Sequence, residues 1–474
     1  MVFTSPVFLF FFFPAVFILN RLIRGNRQRN ILLLAASLVF YAFGQLGYVL
    51  LLLASILANF CAGLLLRGKF AGNRLVVTLA IIFNLLMLAV FKYTDFLISN
   101  INSIADTYIE LTGITLPVGI SFFTFRGMSY VIDVYRKPEA GTRDFVKAAL
   151  YISLFTSITA GPITEYRDMS AQLDSRSITP DKTFDGVIRF SLGFAKKLLI
   201  SNTAGTAADK IFAMTGSGTV DFRLAWLGAV CYMLQIYYDF SGYSDMAIGI
   251  SGMFGFDLAE NFNFPYVASS IREFWRRWHI SLSTWFRDYL YIPLGGNRKG
   301  KRRAALNRMA VFVCTGIWHG ANWTFVIWGI LHGLLSNLED RGLIPVNRLE
   351  KSKTGKVIGR IYTLLAVMLL FVLFRADNLR QAWIMIKSMF AFRTYSDADY
   401  IIKTTLTGAL WAALGAGVLL CGGIGERVKA KISVISKESG VPAYACALAA
   451  LILFAVSLTC MAKGGFSPFI YFQF

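Results

Sequence analysis

Apolar runs of near-membrane length recur from one end of this chain to the other, separated by short basic loops. They fall near residues 6–20, 31–66, 75–92, 186–202, 224–238, 305–337, 359–374, 405–423 and 441–462. A spanning helix needs about 20 consecutive apolar residues, so the runs predict about ten to twelve membrane-embedded helices, including short, broken or re-entrant ones. Charged residues occupy 16% of the 474 positions and the mean hydropathy is +0.57; soluble domains carry roughly 25% charged residues. The expected fold is an all-α polytopic integral membrane protein, one membrane domain over 1–474. The gaps between runs hold no soluble domain of useful size. Residues 5–19 have the apolar core of a signal peptide, yet no small-residue cleavage site follows before the Arg-rich stretch, so they read as a retained first span.

The net charge is +20, and its placement matters more than its size. Basic residues gather between the runs: Arg21, Arg24, Arg27 and Arg29; Arg67, Lys69 and Arg74; Arg298, Lys299, Lys301, Arg302 and Arg303. That is the positive-inside pattern, with membrane lipid as the partner of these charges and no nucleic-acid footprint. It puts the loop after the first span inside and the N-terminus outside the cytoplasm. The 31–66 run starts and ends at basic loops, as a hairpin broken near Gly44 and Gly47 would.

Cys61, Cys231, Cys314, Cys421, Cys446 and Cys460 are scattered singly, with no CxxC pair and no Cys/His cluster at ligand spacing. No metal site is expected, and the thiols read as buried and reduced. Pro and Gly in Leu116-Pro117-Val118-Gly119 and Ala160-Gly161-Pro162 predict broken helices, tolerated where the backbone lines a cavity or packs on protein.

Residues 231–338 form a motif-rich core of different texture. Between 269 and 291, Trp and Phe mix with arginines at helical spacing, too charged for a span, so a helix in or re-entering from the cytoplasmic interface is expected. The three histidines of the chain all lie in this core: His279, His319 and His332. An imidazole in a bilayer is costly unless partnered or in a wet cavity, which makes it a functional-site hypothesis by default. A helix entering just after Arg308 carries His319 about 16 Å deep by the 1.5 Å rise, near mid-membrane for a core of roughly 30 Å. On a continuous helix Asn322 shares the face of His319, beside Trp318, whereas His332 points nearly opposite and reads as structural. A break near Gly316 or Gly320 would change that, and basic loops at both ends of the segment demand a hairpin or re-entrant path.

Asp239 and Tyr243 belong to Tyr238-Asp239-Phe240-Ser241-Gly242-Tyr243-Ser244-Asp245. Either acid of that stretch could orient an imidazole, and Asp239 could equally cap a helix or pair with an arginine. A Gly-x-Ser-x-Gly elbow, a phosphate loop and a dinucleotide fingerprint are absent.

Phe274-Trp275-Arg276-Arg277-Trp278-His279-Ile280-Ser281-Leu282-Ser283 and Trp318-His319-Gly320-Ala321-Asn322-Trp323 are long ordered motifs. With the opening Met1-Val2-Phe3-Thr4-Ser5-Pro6, the 238–247 stretch and Arg287-Asp288-Tyr289-Leu290-Tyr291-Ile292-Pro293-Leu294-Gly295-Gly296-Asn297-Arg298, they carry a resemblance over nearly the whole chain. The chain resembles the membrane-bound O-acyltransferase (MBOAT) superfamily, specifically the bacterial alginate O-acetyltransferase membrane-subunit type. The resemblance implies that His319 is the catalytic histidine and that His279 matches the second near-invariant polar position. It implies residence in the bacterial cytoplasmic (inner) membrane. It implies no bound cofactor and, as donor substrate, an acyl thioester, acetyl-CoA or an acyl carrier. The implied partners are an extracytoplasmic acetyltransferase subunit and polysaccharide export or synthesis machinery.

The expected chemistry passes an acetyl group from a cytoplasmic thioester across the membrane for O-acetylation of an alginate-like polysaccharide. His319 would act as general base or transient acyl carrier, and His279 and Asn322 would orient or polarise the thioester carbonyl. Arg272, Arg276, Arg277 and Arg287 would suit an anionic donor. Within the superfamily the alternatives are peptidoglycan, cellulose or D-alanyl transfer to teichoic acid. A transporter or flippase is the alternative from another class, although no repeat is visible.

Overall fold

The computed structural model describes residues 1–422, 424, 427, 440–463 and 469–470. Helices dominate, and there is no strand among the described residues. In chain order they are α1 (Phe13–Leu22), α2 (Asn26–Gln45), α3 (Val49–Arg67), α4 (Arg74–Ala105), α5 (Ile120–Arg136), α6 (Phe145–Ser153), α7 (Tyr166–Asp174), α8 (Pro180–Ala195), α9 (Asn202–Ala213) and α10 (Phe222–Met253). Then follow α11 (Ile271–Arg277), α12 (Ile280–Phe286), α13 (Gly300–His319), α14 (Trp323–Asp340), α15 (Val346–Leu349), α16 (Lys353–Arg375), α17 (Leu379–Phe390), α18 (Ser396–Thr405), α19 (Gly408–Cys421) and α20 (Gly440–Lys463). Gly423, which ends the predicted 405–423 run, lies outside the described residues.

Four segments are long and apolar enough to cross a membrane: Asn26–Arg67, Arg74–Ala105, Lys353–Arg375 and Tyr444–Lys463. The pair α18 and α19, bent by 78°, adds a fifth if it counts as one span. The number is smaller than the predicted helix count because many helices in the apolar runs are short or carry polar residues, so length and hydropathy do not select them. The 31–66 run does break where expected, with non-helical backbone at Phe43 and Gly44 and a short turn over Leu46–Tyr48.

The chain forms two compact units: Met1–Phe190 with Tyr243–Ala259, and Ser191–Gly242 with Glu260–Phe474. In the first, α5 is buried along almost its whole length and packs on α3 and α4. Small and amide side chains make that close approach possible, as in helix pairs without a hydrophobic driving force. Asn59 and Asn84 exchange reciprocal amide bonds at 3.2 and 2.8 Å, and Gly127 lies against both. After α6 the backbone stays irregular yet buried through Glu165. Arg126 donates to the Tyr151 carbonyl at 3.0 Å and to the Ser157 hydroxyl, and Ser37 Oγ accepts from Phe155 N at 2.9 Å. Two of these bonds satisfy backbone groups at the end of α6, where the irregular stretch that contains Ala160-Gly161-Pro162 begins.

The second unit centres on an aromatic core in which Tyr232, Phe274, Trp275, Trp278, Trp328 and Phe371 are all buried. There α13 and α14 form an antiparallel hairpin. Gly316 and Gly329 face each other at its crossing, where a Cβ on Gly316 would strike the Phe325 carbonyl and lie 3.2 Å from the Gly329 Cα. All six cysteines are free, but only Cys231 and Cys421 are buried. Cys61, Cys314 and Cys460 are exposed, correcting the expectation of buried thiols: a place in an apolar run includes the outer face of a helix.

Candidate active site

The expected interfacial helix is two short helices meeting at a histidine. After α11 the backbone turns extended at Trp278, and His279 sits in the left-handed region at φ 44°, ψ 53°, before α12 begins. A non-glycine residue there persists only when its surroundings hold it. The holder is buried Asn261. Its carbonyl accepts from Ile280 N at 3.0 Å. Its side-chain Oδ1 accepts from Ser281 N at 3.3 Å and Ser281 Oγ at 3.0 Å, and His279 Nδ1 lies 3.2 Å from the same oxygen. Phe240 covers the imidazole edge-on, ring centroids 4.5 Å apart.

The start of α11 is fixed as firmly. Ser270 accepts from Glu273 N at 3.2 Å, while Glu273 accepts from Ser269 N at 2.8 Å, a variant of the capping box. Partial burial pushes the Glu273 carboxyl up, but the Ser269 N–H and hydroxyl and the Arg277 guanidinium outweigh it and hold the group below the ordinary carboxylate value. From the far end of α14, Glu339 accepts from Ile271 N at 2.6 Å and Arg272 N at 3.1 Å. A buried carboxylate thus caps α11, where the helix dipole favours negative charge.

His319 is the last residue of α13 and is buried in an aromatic box, with the rings of Trp318, Trp328 and Phe374 each 5.1 Å away. Trp318 also lies 6.0 Å from His279, so one indole packs against both imidazoles. His332 lies beyond Trp328, 4.6 Å ring to ring, and its Nδ1 accepts from Trp275 Nε1 at 3.2 Å.

The supporting candidates fare unevenly. Gly320 is fully extended, so Asn322 does not continue the face of His319. Instead Asn322 is the N-cap of α14, accepting from Thr324 N at 3.0 Å and donating to the Asp377 carbonyl at 2.8 Å. Among the described residues Asp239 bonds to no imidazole and no arginine. It forms a buried ion pair with Lys197 and accepts from Ser201 Oγ at 3.3 Å and Ile470 N at 2.8 Å. Tyr243, one turn further along α10, belongs to the first unit, where its hydroxyl bonds Thr159 and its ring stacks on Phe3 at 4.7 Å. Arg287 pairs with Asp288 at 2.6 Å, Arg277 with Glu273 at 3.0 Å and Arg272 with Glu339 and Asp340, each at 3.6 Å. Arg276 is exposed and has no ion-pair partner among the described residues. Asn261, Glu339 and Lys197 were not singled out in the sequence. For Glu339 and Lys197 the available signal was a charge inside or closing an apolar run; for Asn261, a place just before Phe262-Asn263-Phe264-Pro265.

The site therefore offers two buried imidazoles that share one indole neighbour, in aromatic surroundings of low polarity where proton transfers are shielded from bulk water. Among the described residues no three His, Cys, Asp or Glu side chains gather to hold a metal ion.

All of this lies in or beside the part of the chain that comparisons with known proteins recognise. Residues 136–376 match the family model described as MBOAT, membrane-bound O-acyltransferase family. The chain is 40% identical over 511 residues to a probable alginate O-acetylase of Azotobacter vinelandii, covering the whole of both chains. It is 38% identical over 529 residues to a probable alginate O-acetylase of Pseudomonas aeruginosa, again over the whole of both. It is also 36% identical over 422 residues to a peptidoglycan O-acetyltransferase of Helicobacter pylori, covering 82% of this chain and 80% of that one.

Proposed function

The chain belongs to the membrane-bound O-acyltransferase family and is a membrane O-acyltransferase, and from that premise we propose that it moves acetyl groups from a cytoplasmic thioester to an extracytoplasmic alginate-like polysaccharide. One observation carries the reading: similarity to the alginate O-acetylases of two organisms extends over the whole of both chains. Similarity to the peptidoglycan enzyme stops at 82% of this chain, which places that acceptor second. The chain acts as one membrane domain of about ten to twelve embedded helices in the bacterial cytoplasmic membrane, with its N-terminus outside. It works with an extracytoplasmic acetyltransferase subunit and the polysaccharide export or synthesis machinery.

His319 and His279 form the chemical centre. An acceptor hydroxyl oxygen bonds to the thioester carbonyl carbon, an imidazole takes the hydroxyl proton, the C–S bond breaks, and the proton goes to the departing sulfur. His319 ends a helix, and the partial negative charge of the α13 carbonyl end favours an imidazolium as it forms. His319→Ala is expected to abolish O-acetyl groups on the exopolysaccharide at unchanged protein level. Retained acetylation would sink the assignment, and a loss of peptidoglycan acetyl groups alone would move the acceptor to the second reading.

A further inference from the structure

Asn261 Oδ1 receives the Ser281 backbone N–H at 3.3 Å. A backbone N–H can only donate, so the atom facing it is an acceptor, and the side-chain amide is oriented oxygen-inward. His279 Nδ1 lies 3.2 Å from that same oxygen. Two acceptors cannot share a hydrogen bond, so Nδ1 must carry the proton. In the neutral ring the lone pair then belongs to Nε2.

We infer that Asn261 is a positioning residue that holds His279 as its Nδ1–H tautomer, so that neutral His279 presents Nε2 as a proton acceptor. This rests on the reading of His279 as a reacting group and sharpens it. A neutral imidazole with its lone pair at Nε2 does not donate there to a thioester carbonyl, so the carbonyl-polarising role expected for His279 falls away. Its part is that of a second proton acceptor beside His319: whichever imidazole takes the proton as the hydroxyl oxygen bonds to the carbonyl carbon returns it to sulfur as the C–S bond breaks. No co-reactant is needed. Asn261 ties the left-handed turn together through its backbone carbonyl to Ile280 N and its side-chain oxygen to Ser281, so it sets both the direction and the tautomer of the ring.

His332 is the internal contrast. Its Nδ1 accepts from Trp275 Nε1, an N–H that can only donate, so its proton sits on Nε2. The two buried rings hold opposite tautomers.

With three histidines in the chain, 15N-histidine labelling of the full-length protein in lipid bilayers resolves the question. His279→Gln and His332→Gln assign the signals by loss, at a pH above the ordinary imidazole value of about 6.5. The wild-type protein is expected to show His279 protonated at Nδ1 and bare at Nε2, with His332 reversed. A His279 protonated at Nε2 overturns the inference without any variant having to fold. Asn261→Leu is expected to lose the tautomer signature and to lower kcat for acetyl transfer from acetyl-CoA by ~10–100-fold, the scale seen when an orienting hydrogen bond to an imidazole is removed, with KM little changed. Asn261→Asp, which keeps an acceptor oxygen, restores both. An Asn261→Leu protein with unchanged kcat and tautomer overturns the positioning role. Full activity in His279→Gln would instead remove His279 from the proposed reaction, while the nitrogen signals still decide what Asn261 does.

Discussion

Trp275 donates its indole N–H to His332 Nδ1 at 3.2 Å, tying α11 to α14 through two buried rings. That bond sets His332 among packing contacts, since its ring also stacks near Phe274 and Phe312. His332→Phe keeps the aromatic shape but leaves a buried indole N–H without an acceptor, a loss of about 1–3 kcal/mol. Detergent-solubilised protein is expected to unfold at a lower temperature while acetyl transfer per folded molecule stays within twofold of wild type. A collapse of transfer in well-folded protein would return His332 to the chemistry.

Lys197 and Asp239 test a different distinction. Their ion pair is almost wholly shielded, with side-chain exposures of 5% and 2%. Removing one partner strands a buried charge and costs about 3–5 kcal/mol, whereas replacing both with apolar residues of similar volume is often neutral. Asp239→Asn should therefore sharply reduce the yield of folded protein, and Lys197→Met combined with Asp239→Leu should recover much of it. If Asp239 oriented an imidazole, the double variant would fold and remain inactive; fluorescence-detected gel filtration paired with a transfer assay separates the two outcomes.

The same pair shows what sequence reading could reach. Apolar runs gave the helical membrane class and the position of the break near Gly44, because hydropathy, Gly and basic loops are local signals; they left the break in the 305–337 segment open between Gly316 and Gly320, and it falls at Gly320. They also gave the histidines, since a costly residue in an apolar run stands out whatever it touches. Partnerships were not legible. Lys197 lies 42 positions from Asp239, Glu339 caps a helix that starts 68 residues earlier, and Asn261 reaches His279 across 18. The face shared by His319 and Asn322 failed for a local reason: helical geometry was carried through Gly320, whose extended backbone resets the phase. The Ser270-Ile271-Arg272-Glu273 cap did have a sequence signature, and it marks the start of α11.

Asn322 is expected to behave as a cap. Asn322→Ser retains an oxygen for Thr324 N, and Asn322→Ala removes both that bond and the one to Asp377, lowering stability by roughly 1 kcal/mol for the cap alone. Thermal unfolding should rank wild type above Ser above Ala, with transfer following the folded fraction. A fully folded Asn322→Ala protein lacking transfer would instead place this amide on the substrate.

Arg276 is the sharpest test of how an anionic donor is met. Of the four arginines expected to attract it, Arg272, Arg277 and Arg287 each pair with a carboxylate, and exposed Arg276 alone has none among the described residues. A committed charge contributes little net field at a distance, while an unpaired one in reach of solvent contributes in a salt-dependent way. Arg276→Ala should raise KM for acetyl-CoA several-fold at low ionic strength and leave kcat nearly unchanged, and the difference from wild type should shrink as salt is added. Arg277→Ala differs in kind: it removes the bonds to Glu273 Oε1 and to the Asn263 carbonyl that brace the α11 turn, so it should lower folded yield and kcat together, with weak salt dependence. Steady-state kinetics of both variants across ionic strength discriminate the roles, and a KM for Arg276→Ala that matches wild type at every salt concentration would move the donor's entrance away from α11.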